Sequence, residues 1–323
     1  MNKATLSVVL TSYNYGDFVG TALDAICSQS FTPIEFIVVD DCSTDNSLTI
    51  IEQFQKQNSL IRLLRNEKNM GVMFSVFRAL EQVTGDYCYS ASADDKILPG
   101  FFEKSMDLLV RYPRAGLCFS DPATFDGATG LINEHRLHLS KGPCYFSPSE
   151  MVEIMRRRPA WIGGHATIVK QSSLLEAGGY LPQLKWYCDW FALLVIAFRH
   201  GACYIPEPLS TYRVSPNAYS VNARRNWVEQ RKVLCDLLGL LKSPAYRDVL
   251  PAFERSGVLR VFRSGIIRAL LNNPAHWDLD SFLLVKRSLR DLVFDTFVPL
   301  GVKPAVRKIY YRHISKLRLK HRD

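Results

Sequence analysis

Short apolar runs alternate with helical patterns along the first third of the chain, and this alternation limits the folds that the chain can adopt. The runs at residues 6–10 and 35–39 are short and almost continuously apolar, as in parallel strands that are buried on both faces. Between them, Val19, Leu23 and Ile26 recur at helical spacing. These residues therefore predict a βαβ unit.

The same order of elements continues to about residue 111. The pattern predicts a helix over 46–57, a strand over 61–66, a helix over 71–83 and a strand over 87–92, before a further helix. Such alternation predicts an α/β fold with an open, mainly parallel sheet that helices flank on both sides. Ligands of these sheets bind at the carboxyl ends of the strands.

The later part of the chain has a different pattern. Residues 116–220 mix short strands with helices, among them a strongly apolar helix over 189–200. From residue 221 the pattern is helical. We expect an α/β domain over 1–220, with 1–115 and 116–220 as its two parts, followed by a helical extension over 221–323.

The net charge of +9 lies in the C-terminal third of the chain. From Val221 onward there are 21 Lys or Arg and 9 Asp or Glu residues, a net charge of +12, whereas the preceding residues carry −3. Basic residues recur every four positions near the end, while apolar residues occupy the opposite side of the same predicted helix; they are Lys308, Arg312, Lys316 and Lys320, and Tyr310, Ile314 and Leu317. This basic helix is either a solvated face over a core-facing stripe or a surface that docks on anionic lipid. Nucleic acid is not an expected partner, because no nucleic-acid-binding module accompanies the charge.

Several features bear on the cellular location. The apolar run Leu6 to Leu10 is too short for a signal-peptide core, and the run at 191–198 is far below the roughly 20 residues that span a bilayer. The eight cysteines form no CxxC pair, so the sequence predicts neither a zinc site nor a compact disulfide framework. We expect a cytoplasmic protein, soluble or peripheral at the inner face of the cytoplasmic membrane.

Two acidic pairs follow predicted strands. Asp40 and Asp41 end one strand, and Asp94 and Asp95 follow another. The first pair could simply cap the next helix. Alternatively, the first pair accepts hydrogen bonds from a nucleotide base or ribose, and a divalent cation with oxygen ligands relieves the repulsion among the carboxylates.

Three segments carry a resemblance to a known family. The segments "SVVLTSYNYGDFVGTALDAICSQSFTPIEFIVVDDCSTDNS", "NMGVMFSVFRALEQVTGDY" and "SADDKILPGF" resemble the nucleotide-sugar-binding half of family-2 glycosyltransferases with the GT-A fold. The resemblance covers residues 6 to about 110 and continues more weakly to about 215. It implies a GT-A-like α/β fold, a nucleotide-sugar donor (UDP-, dTDP- or GDP-sugar) and a hydroxyl acceptor on a glycan or a lipid-linked molecule.

The resemblance also implies which residues contact the donor. Thr11, Tyr13 and Asp40 correspond to contacts with the base and ribose, and Asp41 neighbours the same pocket. The other implied donor contacts are Asn69 and Gly71 in a loop before a helix, Asp94, and Arg213 in a loop that closes over the diphosphate.

The metal motif of the family usually reads Asp-X-Asp. In this chain Ser92 stands in place of the first aspartate, and Asp94 stands where the second belongs, followed by Asp95. The resemblance implies that Asp94 and Asp95 hold Mg²⁺ or Mn²⁺, with diphosphate oxygens and water completing the coordination shell.

Asp189 is the candidate catalytic base. Its segment corresponds to the Glu-Asp region of the family, with Cys188 in place of the glutamate. A carboxylate at this position could instead cap the helix that follows. As a base it would remove the proton of the acceptor hydroxyl, and attack opposite the leaving group would invert the anomeric configuration.

Aromatic residues and one histidine surround the Asp189 segment. They are candidates for acceptor contacts, although such residues are also common in cores: Trp161, His165, Trp186 and Trp190. Together the sequence predicts an inverting glycosyltransferase of bacterial surface polysaccharide or glycolipid synthesis. The alternatives are a nucleotidyltransferase and a catalytically inactive nucleotide-sugar-binding or scaffold protein.

Overall fold

A mixed sheet of ten strands forms the centre of the computed structural model, which describes residues 4–126, 129–158, 162–214 and 226–297. Eight of its strands form one continuous path, and two short strands pair beside that path. Helices cover both faces, so the predicted α/β class is confirmed.

The first four strands are parallel, as the sequence predicts. They are β1 (Leu6–Ser12), β2 (Glu35–Asp40), β3 (Ile61–Arg65) and β4 (Tyr87–Ser92). The strand β1 lies between β2 and β4, with Ser12 opposite Asp40 and Thr11 opposite Ser92. The carboxyl ends of these three strands therefore meet at one edge of the sheet.

Four helices connect and cover these strands: α1 (Gly16–Cys27), α2 (Ser47–Gln57), α3 (Val72–Leu80) and α4 (Phe101–Arg111). Val8 and Leu10 belong to a buried cluster that includes Leu23 of α1, whereas Val9 packs in a separate cluster with Ala79 of α3. Alternate side chains of β1 thus enter two different cores, which explains why its run of apolar residues is continuous.

The second half of the sheet is mixed. Its strands are β5 (Lys96–Ile97), β6 (Leu117–Asp126), β7 (Ile132–Glu134), β8 (Cys144–Phe146), β9 (Thr167–Lys170) and β10 (Ala202–Val214). The strand β9 runs antiparallel between β4 and β6, while β10 runs parallel to β6. Because β10 extends to Val214, Arg213 lies in a strand, and the expectation that it lies in a loop is wrong.

The remaining helices build one large core. They are α5 (Pro148–Arg157), α6 (Gln171–Glu176), α7 (Cys188–His200), α8 (Trp227–Lys242), α9 (Leu250–Ser256), α10 (Arg263–Leu271) and α11 (Leu279–Phe297). In α7 every residue from Trp190 to Phe198 is buried. The ring centroids of Trp190 and Phe262 lie 5.0 Å apart, and those of Phe198 and Phe253 lie 5.2 Å apart. Burying one such side chain contributes about 1.5–3 kcal/mol, so α7 is held firmly by the C-terminal helices.

The predicted helical extension is present over residues 226–297, and its residues share a buried cluster with α5 and α7. The proposed domain boundary at residue 220 falls within 215–225, and the basic helix over 302–323 falls after 297, so both lie outside the described residues. Within the described residues, no helix combines the length and apolar character that membrane crossing requires. All eight cysteines are free thiols.

Candidate functional site

Carboxylates from two strands gather at the carboxyl edge of β1, β2 and β4. We call this the acidic edge and define it by Ser12, Asp40, Asp41, Asp94 and Asp95. Neighbouring strands lie about 4.8 Å apart, so the ends of β2 and β4 are about 10 Å apart with β1 between them. The strand ends that carry the two acidic pairs therefore lie at one edge of the sheet.

The Asp41 carboxylate accepts hydrogen bonds from other residues of the protein. Its Oδ1 accepts hydrogen bonds from Asn66 Nδ2 at 2.6 Å and from the Met70 amide at 2.8 Å, and its Oδ2 accepts one from the Gly71 amide at 2.8 Å. Only 3% of Asp41 is exposed. Its carboxylate therefore fastens the loop between β3 and α3 to the end of β2.

Asp40 has a carboxylate oxygen without a hydrogen-bond partner among the described residues. Its Oδ2 accepts a hydrogen bond from the Ser43 amide at 3.0 Å. Its Oδ1 and the hydroxyl of Ser12, on the neighbouring strand, are buried and have no hydrogen-bond partner among the described residues. Such atoms are rare in folded proteins and indicate an unfilled hydrogen-bonding role.

The loops after β1 and β2 interlock above Asp40. Asn14 Oδ1 accepts a hydrogen bond from the Thr44 amide at 2.8 Å, and Asp45 Oδ2 accepts one from the Gly16 amide at 2.9 Å. Tyr13 follows β1 and is 39% exposed, while Thr11 is half-buried. Both predicted donor residues thus lie at the acidic edge.

Asn69 and Gly71 belong to the loop that Asp41 fastens. Asn69 is exposed, and its Oδ1 accepts a hydrogen bond from the Gly71 amide at 3.0 Å. Gly71 has a φ of +88°, which favours glycine, and it precedes α3. The geometry gives both residues a role in shaping the loop beside the acidic edge.

Asp94 and Asp95 lie side by side in a network with Tyr15. Asp94 Oδ1 accepts a hydrogen bond from Ser92 Oγ at 2.6 Å, and the Tyr15 hydroxyl also bonds to Asp94. Burial, followed by the nearby charges of Asp94 and Asp95, raises the pKa of Tyr15 to about 12, so its hydroxyl keeps its proton. Burial and then the charge of Asp94 raise the pKa of Asp95 to about 8.

Arg213 brings positive charge to the same place. Its backbone amide donates a hydrogen bond to Asp95 Oδ1 at 3.0 Å, and its guanidinium lies 3.7 Å from the centroid of the Phe18 ring. The buried Nε of Arg213 has no hydrogen-bond partner among the described residues. A guanidinium with an unused donor, on a residue whose backbone bonds to Asp95, is suited to an anionic ligand.

The acidic edge fits a divalent cation only with help from a ligand. Within the described ranges, no group of three or more His, Cys, Asp or Glu side chains is placed to hold a metal ion. Asp94 and Asp95 nevertheless supply the oxygen ligands that Mg²⁺ and Mn²⁺ prefer, and burial followed by the charge of Asp94 raises the pKa of Asp95, an effect that a nearby cation would oppose. The residues present therefore fit a cation whose shell is completed by other oxygen atoms.

Asp189 lies at the start of α7, facing a glycine turn. The helix begins at Cys188 with Tyr187 as its N-cap, so Asp189 is not the capping residue. Its Oδ1 accepts a hydrogen bond from the Trp190 amide at 2.7 Å, and the Gly164 amide also donates to its carboxylate. Burial raises the pKa of Asp189, while these amides oppose the rise, as suits a group that must accept a proton near neutral pH.

His165 adjoins Gly164, and with Asp189 these residues form what we call the Asp189 cluster. The His165 carbonyl accepts a hydrogen bond from the Tyr89 hydroxyl at 3.0 Å, and its ring lies 4.8 Å from that of Tyr212. Burial lowers the pKa of His165 to about 4, so the ring is neutral at physiological pH. Its Nε2 is buried and has no partner among the described residues.

The predicted tryptophans differ in position. Trp190 is 1% exposed and packs among Phe253 and Phe262, so in this structure it is a core residue and is not available to an acceptor. Trp186 is 8% exposed and packs against Tyr187. Trp161 lies outside the described residues.

The structure adds Ser12, Tyr15 and Gly164 to the residues that sequence reasoning found. Ser12 is the last residue of β1, and its position at a strand end was an available signal. Tyr15 and Gly164 had no comparable signal, because their roles depend on contacts with Asp94 and Asp189, which are distant in sequence.

Comparison with known proteins identifies the family. The model of glycosyl transferase family 2 matches residues 7–161. TuaG of Bacillus subtilis (strain 168), which is named as a teichuronic acid biosynthesis glycosyltransferase, is 32% identical over 238 residues, covering 72% of this chain and 89% of TuaG. The chain therefore belongs to glycosyl transferase family 2 and is a glycosyltransferase.

Solved structures share the fold. Residues 1–349 of TarS from S. aureus, in complex with UDP-GlcNAc, superpose with a TM-score of 0.58 and 15% identity, covering 96% of this chain and 88% of that one. The mannosyltransferase PcManGT from Pyrobaculum calidifontis, in complex with GDP-Man and Mn²⁺, gives a TM-score of 0.55 and 16% identity over 91% of this chain and 81% of that one. Both likenesses bear on the fold alone.

Proposed function

We propose that the protein transfers a sugar from a nucleoside-diphosphate sugar to a hydroxyl group of its acceptor, with inversion at the anomeric carbon. The observation that carries this proposal is the acidic edge, where a buried, unpartnered carboxylate oxygen of Asp40 lies on the same sheet edge as Asp94, Asp95 and Arg213. A ligand with hydroxyl donors at one end and a diphosphate at the other would satisfy both groups.

The nucleoside end of the donor would bind at β1 and β2. Asp40 Oδ1 and Ser12 Oγ are free to bond with ribose or base, and Thr11 and Tyr13 would line the same pocket. Asn69 would contact the nucleotide from the loop that ends at Gly71. Asp41 would support this pocket through the loop, since its oxygens already accept three hydrogen bonds.

The diphosphate end would bind between Arg213 and the second acidic pair. Asp94 and Asp95 would hold Mg²⁺ or Mn²⁺, which when bound supplies positive charge against the diphosphate. The Mn²⁺ in the complex of PcManGT with GDP-Man supports this assignment. Arg213 would stabilise the negative charge that develops on the leaving nucleoside diphosphate.

Asp189 would be the general base. It would accept the proton of the acceptor hydroxyl as that oxygen forms its bond to the anomeric carbon. The bond from the anomeric carbon to the diphosphate oxygen breaks in the same step, and its electron pair leaves with the nucleoside diphosphate. Attack from the opposite face inverts the configuration, and a single base is sufficient.

The acceptor would approach Asp189 along the turn that carries His165. The neutral ring of His165 has an Nε2 without a partner among the described residues, and this atom can form a hydrogen bond with a sugar hydroxyl. Trp186 lies just before the start of α7, the helix that carries Asp189. The name of TuaG supports a role in bacterial surface polysaccharide or glycolipid synthesis, and the TarS complex with UDP-GlcNAc supports a nucleotide-sugar donor.

A panel of nucleotide sugars with Mn²⁺ tests the function. The purified protein should release nucleoside diphosphate from one donor, and Asp189→Asn should abolish transfer while leaving donor-induced thermal stabilisation nearly unchanged. Pyrophosphate release from a nucleoside triphosphate would instead show a nucleotidyltransferase. Stabilisation without any release would show an inactive binding protein, and full transfer by Asp189→Asn would remove the base assignment.

The basic helix predicted over residues 302–323 would bring the enzyme to a lipid-linked acceptor at the inner face of the cytoplasmic membrane. Its support is the net charge of +12 from Val221 onward, because anionic lipid attracts basic segments. Deleting residues 302–323 should weaken co-sedimentation with anionic liposomes and should not affect neutral ones. Unchanged sedimentation would reject this part of the proposal.

A further inference from the structure

The turn at Gly163 and Gly164 approaches Asp189 more closely than any side chain at position 164 would allow. A Cβ atom on Gly164 would lie 3.1 Å from Asp189 Oδ2 and 3.8 Å from its Cβ. The first distance is tighter than ordinary van der Waals contact, so the carboxylate would have to move. The missing side chain is therefore what lets the backbone of Gly164 reach the carboxylate.

Two amides hold the Asp189 carboxylate from different elements. Trp190 donates to Oδ1 from within α7, and Gly164 donates from the turn that precedes β9. A carboxylate held by two backbone amides has little freedom to rotate, and hydrogen bonds to its charged form favour deprotonation. This geometry counteracts the effect of burial, which favours the protonated acid.

The turn itself is firmly anchored. The Thr167 hydroxyl donates to the Gly163 carbonyl at 2.8 Å, the Ala166 amide donates to the same carbonyl at 3.1 Å, and the Tyr89 hydroxyl donates to the His165 carbonyl at 3.0 Å. Tyr89 lies on β4, the strand that leads to Asp94 and Asp95. The position of the Gly164 amide is therefore fixed relative to the sheet that carries the acidic edge.

We propose that Gly164 is a positioning residue for the catalytic base: its amide, brought close by the lack of a side chain, fixes the orientation of the Asp189 carboxylate toward the acceptor hydroxyl. The proposal rests on the role of Asp189 in the proposed function. Gly164 acts on the rate of proton removal through Asp189 and does not itself contact the substrate.

The test is Gly164→Ala, which displaces the carboxylate from the amide. We expect kcat to fall about tenfold, because the carboxylate loses one of the two hydrogen bonds that orient it. The KM for the donor should stay unchanged, and the acidic limb of the kcat profile should move to higher pH, because a lost hydrogen bond to the carboxylate raises its pKa. Gly142→Ala is the matched control, since its Cβ would meet nothing within 4 Å, and it should leave both quantities unchanged.

A double-mutant cycle in unfolding free energy covers the case in which Gly164→Ala folds poorly. If its Cβ collides with Asp189, Gly164→Ala should destabilise the Asp189→Ala background less than the natural protein. Equal destabilisation in both backgrounds, or a normal kcat and pH profile in Gly164→Ala, would overturn the positioning role alone. Transfer by Asp189→Asn would overturn the proposed function and the role of Gly164 with it.

Discussion

The acidic edge and the Asp189 cluster both depend on carboxylates, but the protein controls them in different ways. At the acidic edge, loops supply hydrogen bonds to Asp41 and Asp94 and leave an oxygen of Asp40 without a partner. Burial raises the pKa of Asp95 at the acidic edge and that of Asp189, but the Asp189 cluster also contains a histidine, whose pKa burial lowers. A site that binds a charged, hydroxyl-rich ligand needs open hydrogen-bonding groups, whereas proton transfer needs groups with adjusted pKa values.

The most disruptive change at the acidic edge should be Asp41→Ala. It removes the acceptor that Asn66 Nδ2 and the amides of Met70 and Gly71 share, and a buried donor left without an acceptor costs about 1–3 kcal/mol of unfolding free energy. Urea denaturation measures this loss. Asp40→Asn is the control, because Asp40 accepts one hydrogen bond only from the described residues, and it should change the unfolding free energy by about 1 kcal/mol or less.

The second prediction concerns nucleotide binding, for which Asp40 should matter more than Asp41. Asp40→Asn should weaken nucleoside-diphosphate binding by about tenfold or more, because a hydrogen bond from the ligand to a charged acceptor is lost. Calorimetric titration with the preferred nucleotide would show the change. If Asp40→Asn binds with the affinity of the natural protein, the unpartnered oxygen has no part in donor binding.

The third prediction concerns the Asp189 cluster and pH. His165 is neutral in the folded protein down to a pKa of about 4, whereas an unfolded histidine takes up a proton near the ordinary histidine pKa of 6.5. The unfolded state therefore binds more protons between these values, so the protein should lose stability as the pH falls from about 6.5 to about 4. Thermal melts of His165→Gln, which cannot titrate, should show a smaller loss over that range; identical losses would contradict the burial of His165.

The smallest expected effect concerns Ser92. In Ser92→Asp a third carboxylate joins Asp94 and Asp95, so the affinity for Mn²⁺ should rise by about fivefold, since carboxylate ligands strengthen binding of hard cations. Ser92→Asn, similar in shape but uncharged, is the control. Thermal shift on titration with Mn²⁺ separates the two variants without an activity assay. An equal shift in both would argue against a cation at Asp94.

Much of the fold could be predicted from the sequence because the first four strands alternate with helices in chain order. The predicted strand over 87–92 matches β4 in its bounds, and the predicted helix over 46–57 matches α2 to within one residue. The sequence did not predict β10, because Pro206 and Pro208 interrupt it. The register of β10 with β6 shifts around these prolines. Prolines lack the amide that a regular ladder needs, so the segment resembles a loop in sequence.

The location of the site could be predicted from the sequence better than the role of each residue in it. Strand ends placed both acidic pairs at one edge, but neither residue order nor spacing distinguishes Asp40 from Asp41. That difference arises because the loop over residues 66–71 folds back onto Asp41. Similarly, the cap of α7 is Tyr187, which shifts Asp189 into the first turn and against Gly164.

The buried cluster that joins α7 to α8, α9 and α10 has a consequence for how such enzymes diversify. A chimera that takes its first 220 residues from this chain and its later helices from a relative would have to match Trp190, Phe191 and Phe198 with new neighbours. A poor match would tilt the helix that bears Asp189. New acceptor preferences would therefore be easier to gain by replacing surface side chains than by exchanging the whole C-terminal segment.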